Sequence, residues 1–328
     1  MKEKELEILQ QYDIDVRSTR KIRGAILCDT NQGLFQLKEV HCSEKRIPVL
    51  YELQNHLLQE GYMNIDILMK NKEDGLFSIS EEGQRFIVKK WFHGKECDNK
   101  KEMDIMEAVR NLALLHRIMK KSFSTSLSPK EDVEKEFLRH NREMKKVRSF
   151  IRSRVGKGEF ELLYLKYFDA MYEWAVQACE NLKSSGYRKL LSDSMESNAL
   201  AHGDYNYHNI LMTPGGIAST NFDHFYGGIQ VTDLYYFLRK TLEKNQWNVE
   251  LGNKMIENYN RIHPLSKEEL QYIAVCIAYP EKFWKSANSY YRSSKAWIPA
   301  KSLEKLELAI RQSEEKKLFL ESLFSYAL

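Results

Sequence analysis

Strand-forming and helix-forming patterns occupy separate parts of this 328-residue chain, and this separation constrains its fold more than any other feature. Up to about residue 91 the sequence predicts strands within five runs, namely Arg17–Thr30, Leu34–Val40, Asn64–Met69, Gly75–Ser78 and Arg85–Trp91. From about residue 101 the apolar residues recur at helical spacing. Strands gathered at one end and helices at the other favour an α+β fold over an alternating βαβ sheet.

Helical patterns add detail to this division. A short amphipathic helix is predicted over residues 3–13, and one helix is inserted among the strands at Ile47–Glu60, where Pro48 suits the first turn and Gly61 the C-cap. Later helices are predicted at Glu102–Met119, Pro129–Ser153, Phe160–Leu182, Thr232–Lys244, Val249–Ile262, Lys267–Asn288 and Ser302–Leu323. We therefore predict two lobes, a small β-rich N-lobe over residues 1–91 and a larger α-helical C-lobe over residues 92–328.

Composition excludes several classes of protein. A formal net charge of +4 is too small to indicate a nucleic-acid or membrane partner. The five cysteines are scattered and form no CxxC pair, which argues against a disulfide framework and against a zinc site. No apolar run is long enough to cross a membrane, and the N-terminus lacks a secretion signal. We expect synthesis in the cytoplasm, with no nucleic acid and no membrane among the partners.

The segment Leu200–Met212 carries the most specific chemical pattern, because apolar residues bracket a polar HGDxxxxN sequence. This pattern resembles the catalytic loop of the aminoglycoside phosphotransferase and choline kinase group, which are relatives of the protein kinases. The resemblance implies a bilobal protein-kinase-like fold, in which Asp204 accepts or orients the proton of the attacking hydroxyl and Asn209 binds a magnesium ion. A chance HGD in a loop capped by Asp204 is the alternative.

Spacing after this loop matches the same group, with one departure. A strand is predicted at Ile217–Phe222, and Asn221-Phe222-Asp223 stands where the group has a metal-binding Asp-Phe pair. Position 221 is Asn, which supplies no negative charge, whereas magnesium prefers carboxylates. In an extended strand end Asp223 points to the same side as Asn221 and can substitute. The resemblance thus implies Asn209, Asn221 and Asp223 as metal ligands, and weak or absent phosphoryl transfer stays open.

The N-lobe contains candidates for the nucleotide site that the resemblance implies. Lys38 lies near the end of the third predicted strand and is expected to hold the phosphates of ATP, although a solvated lysine at a strand end is the alternative. Glu52, in the middle of the inserted helix, is expected to be its ion-pair partner. The predicted phosphate-covering loop, Ser18–Gly24, has one glycine and so lacks a GxGxxG motif. ATP and Mg²⁺ are the cofactors that this reading implies.

Four further strings narrow the resemblance: Asn221–Asp223, Asp233–Lys240, Tyr279–Trp284 and Lys295–Pro299. Together they resemble the spore coat protein S family of endospore-forming bacteria. The resemblance implies a sporulation setting, a place in the spore coat and coat proteins as partners. Two functions are open: an ATP- and magnesium-dependent phosphotransferase acting on a small hydroxyl-bearing compound, or a catalytically weak or inactive kinase-like structural protein of coat assembly.

Overall fold

The computed structural model describes residues 3–123, 130, 132–292 and 300–326. The chain divides into two compact units: the first unit is Met1–Ser128 with Asn198–Tyr226, and the second unit is Pro129–Ser197 with Gly227–Leu328. These units do not coincide with the predicted lobes, 1–91 and 92–328, which stay a prediction. The catalytic-loop segment belongs to the first unit, together with the N-terminal sheet.

The first unit is built on an antiparallel sheet. Its helices are α1 (Glu3–Gln10), α2 (Arg46–Gln59) and α3 (Glu102–Ile118). Its strands are β1 (Val16–Ile22), β2 (Ala25–Thr30), β3 (Gly33–Val40), β4 (Leu68–Met69), β5 (Ser78–Ile79), β6 (Arg85–Lys90), β7 (Lys95–Glu96), β8 (Leu200–Ala201), β9 (Ile210–Thr213) and β10 (Gly216–Ser219), and β11 (Tyr226–Gly227) reaches the unit boundary. The main sheet has the order β1-β2-β3-β6-β4, with β5 also paired to β6. The predicted α+β class, with an antiparallel sheet and one inserted helix, is confirmed.

Two turns of this sheet show how far local sequence determines it. Ile22 pairs with Ala25, so Arg23-Gly24 forms a two-residue hairpin turn, and Gly24 has a φ of +65° that favours glycine. Of the predicted strand Asn64–Met69, only Leu68–Met69 (β4) is a strand. The backbone before it is hydrogen-bonded to the buried Gln54 of α2, which donates to the carbonyl of Asp66 (2.8 Å) and accepts from the amide of Leu68 (3.0 Å).

The two faces of the main sheet have different roles. Leu37 of β3 and Val88 of β6 are paired and pack in a core with Ile8 and Leu9 of α1. Side chains alternate along a strand, so Lys38 and Lys89 lie on the opposite face, where Lys38 pairs with Ile87 and Lys89 with Gln36. The sheet therefore places two ammonium groups on one face of adjacent strands.

A small second sheet supports the catalytic-loop segment. Strands β9 and β10 form an antiparallel hairpin, in which Ile210 pairs with Ser219, and β7 pairs with β9. Beyond the last pair, the amide of Thr220 donates to the carbonyl of Asn209 at 2.9 Å. The hairpin thus brings Asn209 beside Asn221, two positions that are twelve residues apart in sequence.

The second unit is helical, with bounds α4 (Val133–Ser153), α5 (Glu159–Ser184), α6 (Tyr187–Glu196), α7 (Val231–Leu242), α8 (Val249–Asn260), α9 (Lys267–Ala278), α10 (Glu281–Tyr291) and α11 (Ala300–Phe324). Helix α6 was not predicted. The single helix predicted at Lys267–Asn288 was wrong, because Pro280 ends α9 and separates it from α10. Carbonyls of Ala278 and Tyr279, at this break, accept from the ammonium of Lys316 at 3.2 and 3.4 Å.

Aromatic side chains after the break pack between helices. Tyr279 stacks on Phe137 of α4, with ring centroids 3.9 Å apart, and Phe283 stacks on Tyr164 of α5 at 4.7 Å. The family-like string Lys295–Pro299 lies outside the described residues. Among the helices that are described, none is both long and apolar enough to cross a membrane. All five cysteines are free thiols.

Candidate active site

The HGD sequence has a backbone shape that explains its histidine and glycine. Gly203 has a φ of +81°, and a Cβ at this position would lie 2.1 Å from the carbonyl oxygen of His224, so only glycine fits. The buried His202 ring lies between the amide of Asp204, which donates to Nδ1 (3.2 Å), and the carbonyl of Thr220, 3.1 Å from Nε2. Because a carbonyl only accepts, His202 carries its proton on Nε2. The two residues fix the loop against the segment that leads to Asn221.

The carboxylate of Asp204 is held by amides rather than by a cation. Asn206 Nδ2 donates to Asp204 Oδ1 and Asn209 Nδ2 donates to Asp204 Oδ2, each at 2.8 Å. Asn209 Nδ2 also donates to the Asp204 carbonyl at 2.8 Å. Both carboxylate oxygens are thereby oriented, and no cation among the described residues is paired with them. This arrangement suits a group that accepts a proton from a hydroxyl.

A chain of hydrogen bonds joins this loop to Lys38. The Oδ1 atom of Asn209 accepts from Asn221 Nδ2 at 2.9 Å. The Oδ1 atom of Asn221 lies 3.5 Å from Lys38 Nζ, and Lys38 Nζ lies 2.6 Å from Asp223 Oδ2. The structure therefore brings together five of the six predicted site residues: Lys38, Asp204, Asn209, Asn221 and Asp223.

Asp223 is shared between two lysines. Its Oδ1 atom lies 2.6 Å from the Nζ atom of Lys89, which is fully buried, and its Oδ2 atom pairs with Lys38, whose side chain is 28% exposed. Lys89 Nζ also lies 3.3 Å from Oδ2 of the buried Asp66. Burial raises the pKa of Asp223, but the attraction of Lys89 and Lys38 outweighs it and holds that pKa well below its usual value. The carboxylate is ionised at neutral pH.

Lys89 keeps its proton in spite of its burial. Desolvation lowers the pKa of Lys89, whereas Asp223 and Asp66 raise it, and the two carboxylates prevail. Burial raises the pKa of Asp66, and Lys89 and the amide of Asn221, which donates to Oδ2 at 2.8 Å, counteract it. Asp66 is thus the link between Lys89 and the backbone of the segment that carries Asn221. We call Lys38, Lys89, Asp66 and Asp223 the lysine–aspartate cluster.

The sixth predicted residue, Glu52, has another partner. Its carboxylate lies 3.2 Å from Lys121 Nζ, whereas Lys38 pairs with Asp223. The predicted Lys38–Glu52 ion pair was therefore wrong. The partner was predicted on the inserted helix, but Asp223, in the segment after Asn221, supplies the carboxylate that reaches the Lys38 ammonium.

The course of the chain at Asn221 also differs from the prediction. Strand β10 ends at Ser219, Asn221 has left-handed φ and ψ angles of 62° and 52°, and residues Phe222–His224 form a 3₁₀ turn. The predicted strand Ile217–Phe222 and the extended strand end at Asp223 were therefore wrong. Asparagine is among the few residues other than glycine that adopt this conformation readily. The turn places Asp223 against the two lysines.

The residues at the expected metal positions do not fit a magnesium ion well. Two of the three are neutral amides, and the one carboxylate, Asp223, is paired to two ammonium groups at 2.6 Å. Magnesium requires oxygen ligands in octahedral geometry at about 2.0–2.1 Å and favours carboxylates. In the described part of the chain, no group of three or more His, Cys, Asp or Glu side chains is arranged to hold a metal ion. The ligand chemistry of this site therefore disagrees with the expected magnesium.

Sequence reasoning missed Lys89, Asp66 and Asn206. Lys89 directly follows the apolar run Phe86-Ile87-Val88 within strand β6, and a lysine in a buried strand requires a carboxylate partner. That position was the available signal, but it does not say which carboxylate pairs with the lysine. Asn206 could not be predicted as a site residue, because it stands at one of the variable positions of the HGDxxxxN pattern.

Comparison with known proteins gives the family. The chain matches the sequence profile of the family described as "Spore coat putative kinase YutH" over residues 5–323. It is also 22% identical over 166 residues to spore coat protein S of Bacillus subtilis (strain 168), a match that covers 50% of this chain and 47% of that protein. The chain thus matches about half the length of this curated relative.

Solved structures show the fold. An aminoglycoside phosphotransferase from Alicyclobacillus acidocaldarius is similar with a TM-score of 0.88 at 17% identity, covering 98% of this chain and 95% of that one. The AMP-bound complex of spectinomycin phosphotransferase is similar with a TM-score of 0.67 at 15% identity, covering 95% and 96%. Amicoumacin kinase in complex with AMP-PNP and Ca²⁺ has a TM-score of 0.61 at 11% identity, covering 94% and 91%.

The predicted resemblance to spore coat and phosphotransferase proteins is confirmed by these matches, and the fold is the bilobal α+β fold of kinase-like phosphotransferases. The family profile spans nearly the whole chain, including the sheet and the HGD loop. This chain belongs to the family described as "Spore coat putative kinase YutH".

Proposed function

We propose that this protein is a spore-coat-associated phosphotransferase that moves the terminal phosphoryl group of ATP to a hydroxyl of a small molecule. The observation that carries the proposal is the continuous network from Asp204 through Asn209 and Asn221 to Lys38. It joins a candidate base to a candidate phosphate-binding ammonium. The similar solved structures, whose names describe phosphotransferases and kinases of small molecules, support the same reaction class.

The proposed reaction uses the chain's own residues as follows. The acceptor's hydroxyl oxygen bonds to the terminal phosphorus, and the bond from that phosphorus to the bridging oxygen breaks. The hydroxyl proton passes to the Asp204 carboxylate, and a nucleoside diphosphate leaves. Lys38 binds phosphate oxygens and stabilises their charge, while Asn206 and Asn209 orient Asp204. Because its ligands fit poorly, magnesium is assigned no step.

The location and partners belong to this proposal too. Membership of a spore coat family and similarity to spore coat protein S support a place in the coat of an endospore-forming bacterium, with coat proteins as neighbours. The acceptor is proposed as a small hydroxyl-bearing compound.

Replacing Asp204 tests the reaction. Asp204→Asn keeps the size and shape of the side chain but removes its basicity and one of its two acceptor oxygens, and general base catalysis contributes about 10²–10⁴-fold to rate. We expect ATP turnover to fall at least about 100-fold. Asp29→Asn, at an exposed position of β2, is the matched control and should leave turnover unchanged. Undiminished turnover in Asp204→Asn would remove Asp204 from the mechanism.

A second candidate function is a coat structural or assembly protein with little or no catalysis. It is favoured by one observation, the neutral Asn221 beside an Asp223 that two lysines neutralise. If this candidate is right, the wild type and Asp204→Asn consume ATP at the same rate, which equals the rate of ATP loss in buffer without protein. A turnover above that rate, lost with Asp204, would reject it.

A further inference from the structure

The lysine–aspartate cluster is a feature that the proposed reaction uses only in part. Lys38 serves the phosphates, but Lys89 and Asp66 have no role in proton or phosphoryl transfer. Both side chains are completely buried, and Lys89 reaches Asp66 and Asp223 at 3.3 and 2.6 Å. Paired charges that are fully removed from water cost free energy, so their presence beside a candidate site calls for an explanation.

The position of Lys89 corresponds to that of a bound cation. Its ammonium lies against Asp223, at the end of the Asn221–Asp223 segment where the resemblance expects a metal ion. It neutralises that carboxylate permanently, because it is part of strand β6 and held by Asp66. Lys89 and Lys38 together balance the carboxylates of this cluster, and Lys38, the partly exposed member, is the cation that an anionic ligand can reach.

The charges within the site pair with one another without a metal ion. Lys38 and Lys89 are positive and pair with the ionised Asp223, Lys89 also contacts the buried Asp66, and Asn209 and Asn221 carry no charge. A kinase-like site with Asp at position 221 would add a carboxylate facing the phosphates, and a cation would be needed to offset the repulsion. With Asn221 that repulsion is absent.

We infer that Lys89 acts as a built-in cation, and that the site binds the metal-free form of a nucleoside triphosphate without requiring a divalent ion. This inference rests on the proposed nucleotide site. It assigns Lys89 and Asp66 a positioning role, in which they act on the ligand through Asp223 and Lys38 rather than by contact. On this inference, the poor fit of Asn209, Asn221 and Asp223 to magnesium follows from a site that does not need the ion.

Calorimetric titration of the full chain with ATP tests the inference, in buffer with EDTA and in buffer with excess magnesium. We expect the two dissociation constants to agree within about threefold. Binding that appears only with magnesium would overturn the inference and leave the proposed function standing. If ATP bound in neither buffer, the proposed function and the inference would both be rejected.

Two variants locate the effect. Asn221→Asp restores the carboxylate at a position whose left-handed backbone aspartate also tolerates, and we expect about tenfold weaker ATP binding in EDTA that magnesium restores. Asn260→Asp, an exposed residue of α8 whose side-chain oxygen accepts from Leu265, adds the same charge in the second unit and should change neither constant. Binding by Asn221→Asp that is unaltered in EDTA, or not restored by magnesium, would contradict the electrostatic account.

The second variant removes the built-in cation while keeping the net charge. Lys89→Met alone would leave Asp66 buried without a cation, so it is combined with Asp66→Asn. In the folded double variant we expect ATP affinity in EDTA to fall about tenfold, with partial recovery in magnesium. Folding is checked by circular dichroism. If the double variant bound ATP in EDTA with the affinity of the wild type, Lys89 would be a structural lysine only and the inference would be overturned.

Discussion

The two units of this chain each contain a buried group of paired charges, and the two groups are built differently. In the second unit, Arg239 pairs with Glu243 at 2.9 Å and with Glu281 at 3.2 Å, and its side chain is only 6% exposed. In the first unit, the lysine–aspartate cluster includes the fully buried Lys89 and ends on Lys38, which is 28% exposed.

The second-unit group is closed, whereas the first-unit group has a free end. Each carboxylate paired with Arg239 has a further cation, Lys282 beside Glu243 and Lys285 beside Glu281. In the first unit the chain of contacts continues through Asn221 and Asn209 to the carboxylate of Asp204. Buried charges alone therefore do not distinguish a structural group of ion pairs from a binding site. The distinguishing feature of the first-unit cluster is an accessible cation, Lys38, that is connected by hydrogen bonds to the loop carrying Asp204.

The largest expected effect concerns stability of the second unit. Arg239→Met leaves the partly buried Glu243 and Glu281 with fewer cations, and breaking a buried ion pair from one side costs about 3–5 kcal/mol. We expect the free energy of unfolding in urea to fall by that amount. Arg261→Met, at an exposed site 3.9 Å from Glu257, is the control and should cost under about 1 kcal/mol. Equal losses in the two variants would show that the group around Arg239 is not a structural centre.

A smaller effect concerns the buried Lys316 of the second unit. Burial and the nearby Arg239 lower its pKa from 10.5 to about 7. Between about pH 7 and 10.5 the unfolded chain therefore binds a proton that the folded chain does not, so stability rises with pH across this window. From about pH 7.5 to pH 9 the unfolding free energy of wild type should rise by about 2 kcal/mol more than that of Lys316→Met, measured by urea titration at each pH. Parallel pH profiles would contradict this assignment.

Lys38→Met should affect stability less, although it lies in a charged cluster. Lys89 remains paired with Asp223, and Lys38 is partly exposed, so we expect a change in unfolding free energy of about 1 kcal/mol or less. Lys38→Met removes an accessible charge, whereas Arg239→Met removes a buried one, so the two variants should differ in stability. A loss above about 3 kcal/mol would place Lys38 with the structural charges.

The smallest effect is expected at Glu52. Its ion pair with Lys121 is partly exposed on both sides, and such pairs contribute about 0–1 kcal/mol. Glu52→Gln should leave the ATP dissociation constant unchanged in the same titration. A loss of ATP affinity of tenfold or more would show that Glu52 belongs to the nucleotide site, as was predicted from sequence.

Local features were predicted from sequence because their causes are local. The Arg23-Gly24 turn and the HGD loop follow from the few residues that can adopt each backbone shape, as at Gly203. The inserted helix, predicted at Ile47–Glu60, is found at Arg46–Gln59 because Pro48 and Gly61 mark its ends. Lys38 was found because strand and turn patterns fix its place on β3.

The partners of these residues were not predictable in the same way. Lys89 and Asp223 are 134 residues apart, and nothing in spacing pairs them. Asn221 was assigned to a strand because the apolar run before it continues, whereas its left-handed backbone turns the chain and brings Asp223 to Lys38. The candidate groups were thus predictable from sequence, whereas the tertiary fold decides which of these charges pair.

The most direct test of the central claim, that the first unit's network is a nucleotide site, is the ATP-dependent rise in melting temperature. A ligand that binds only the folded state raises its stability by about 2.7 kcal/mol at one hundred times its dissociation constant. The wild type and Lys70→Met, a charge-matched control at an exposed pair with Asp74, should show the rise, and Lys38→Met should lose it. An equal rise in Lys38→Met, or none in wild type at saturating ATP, would contradict the claim.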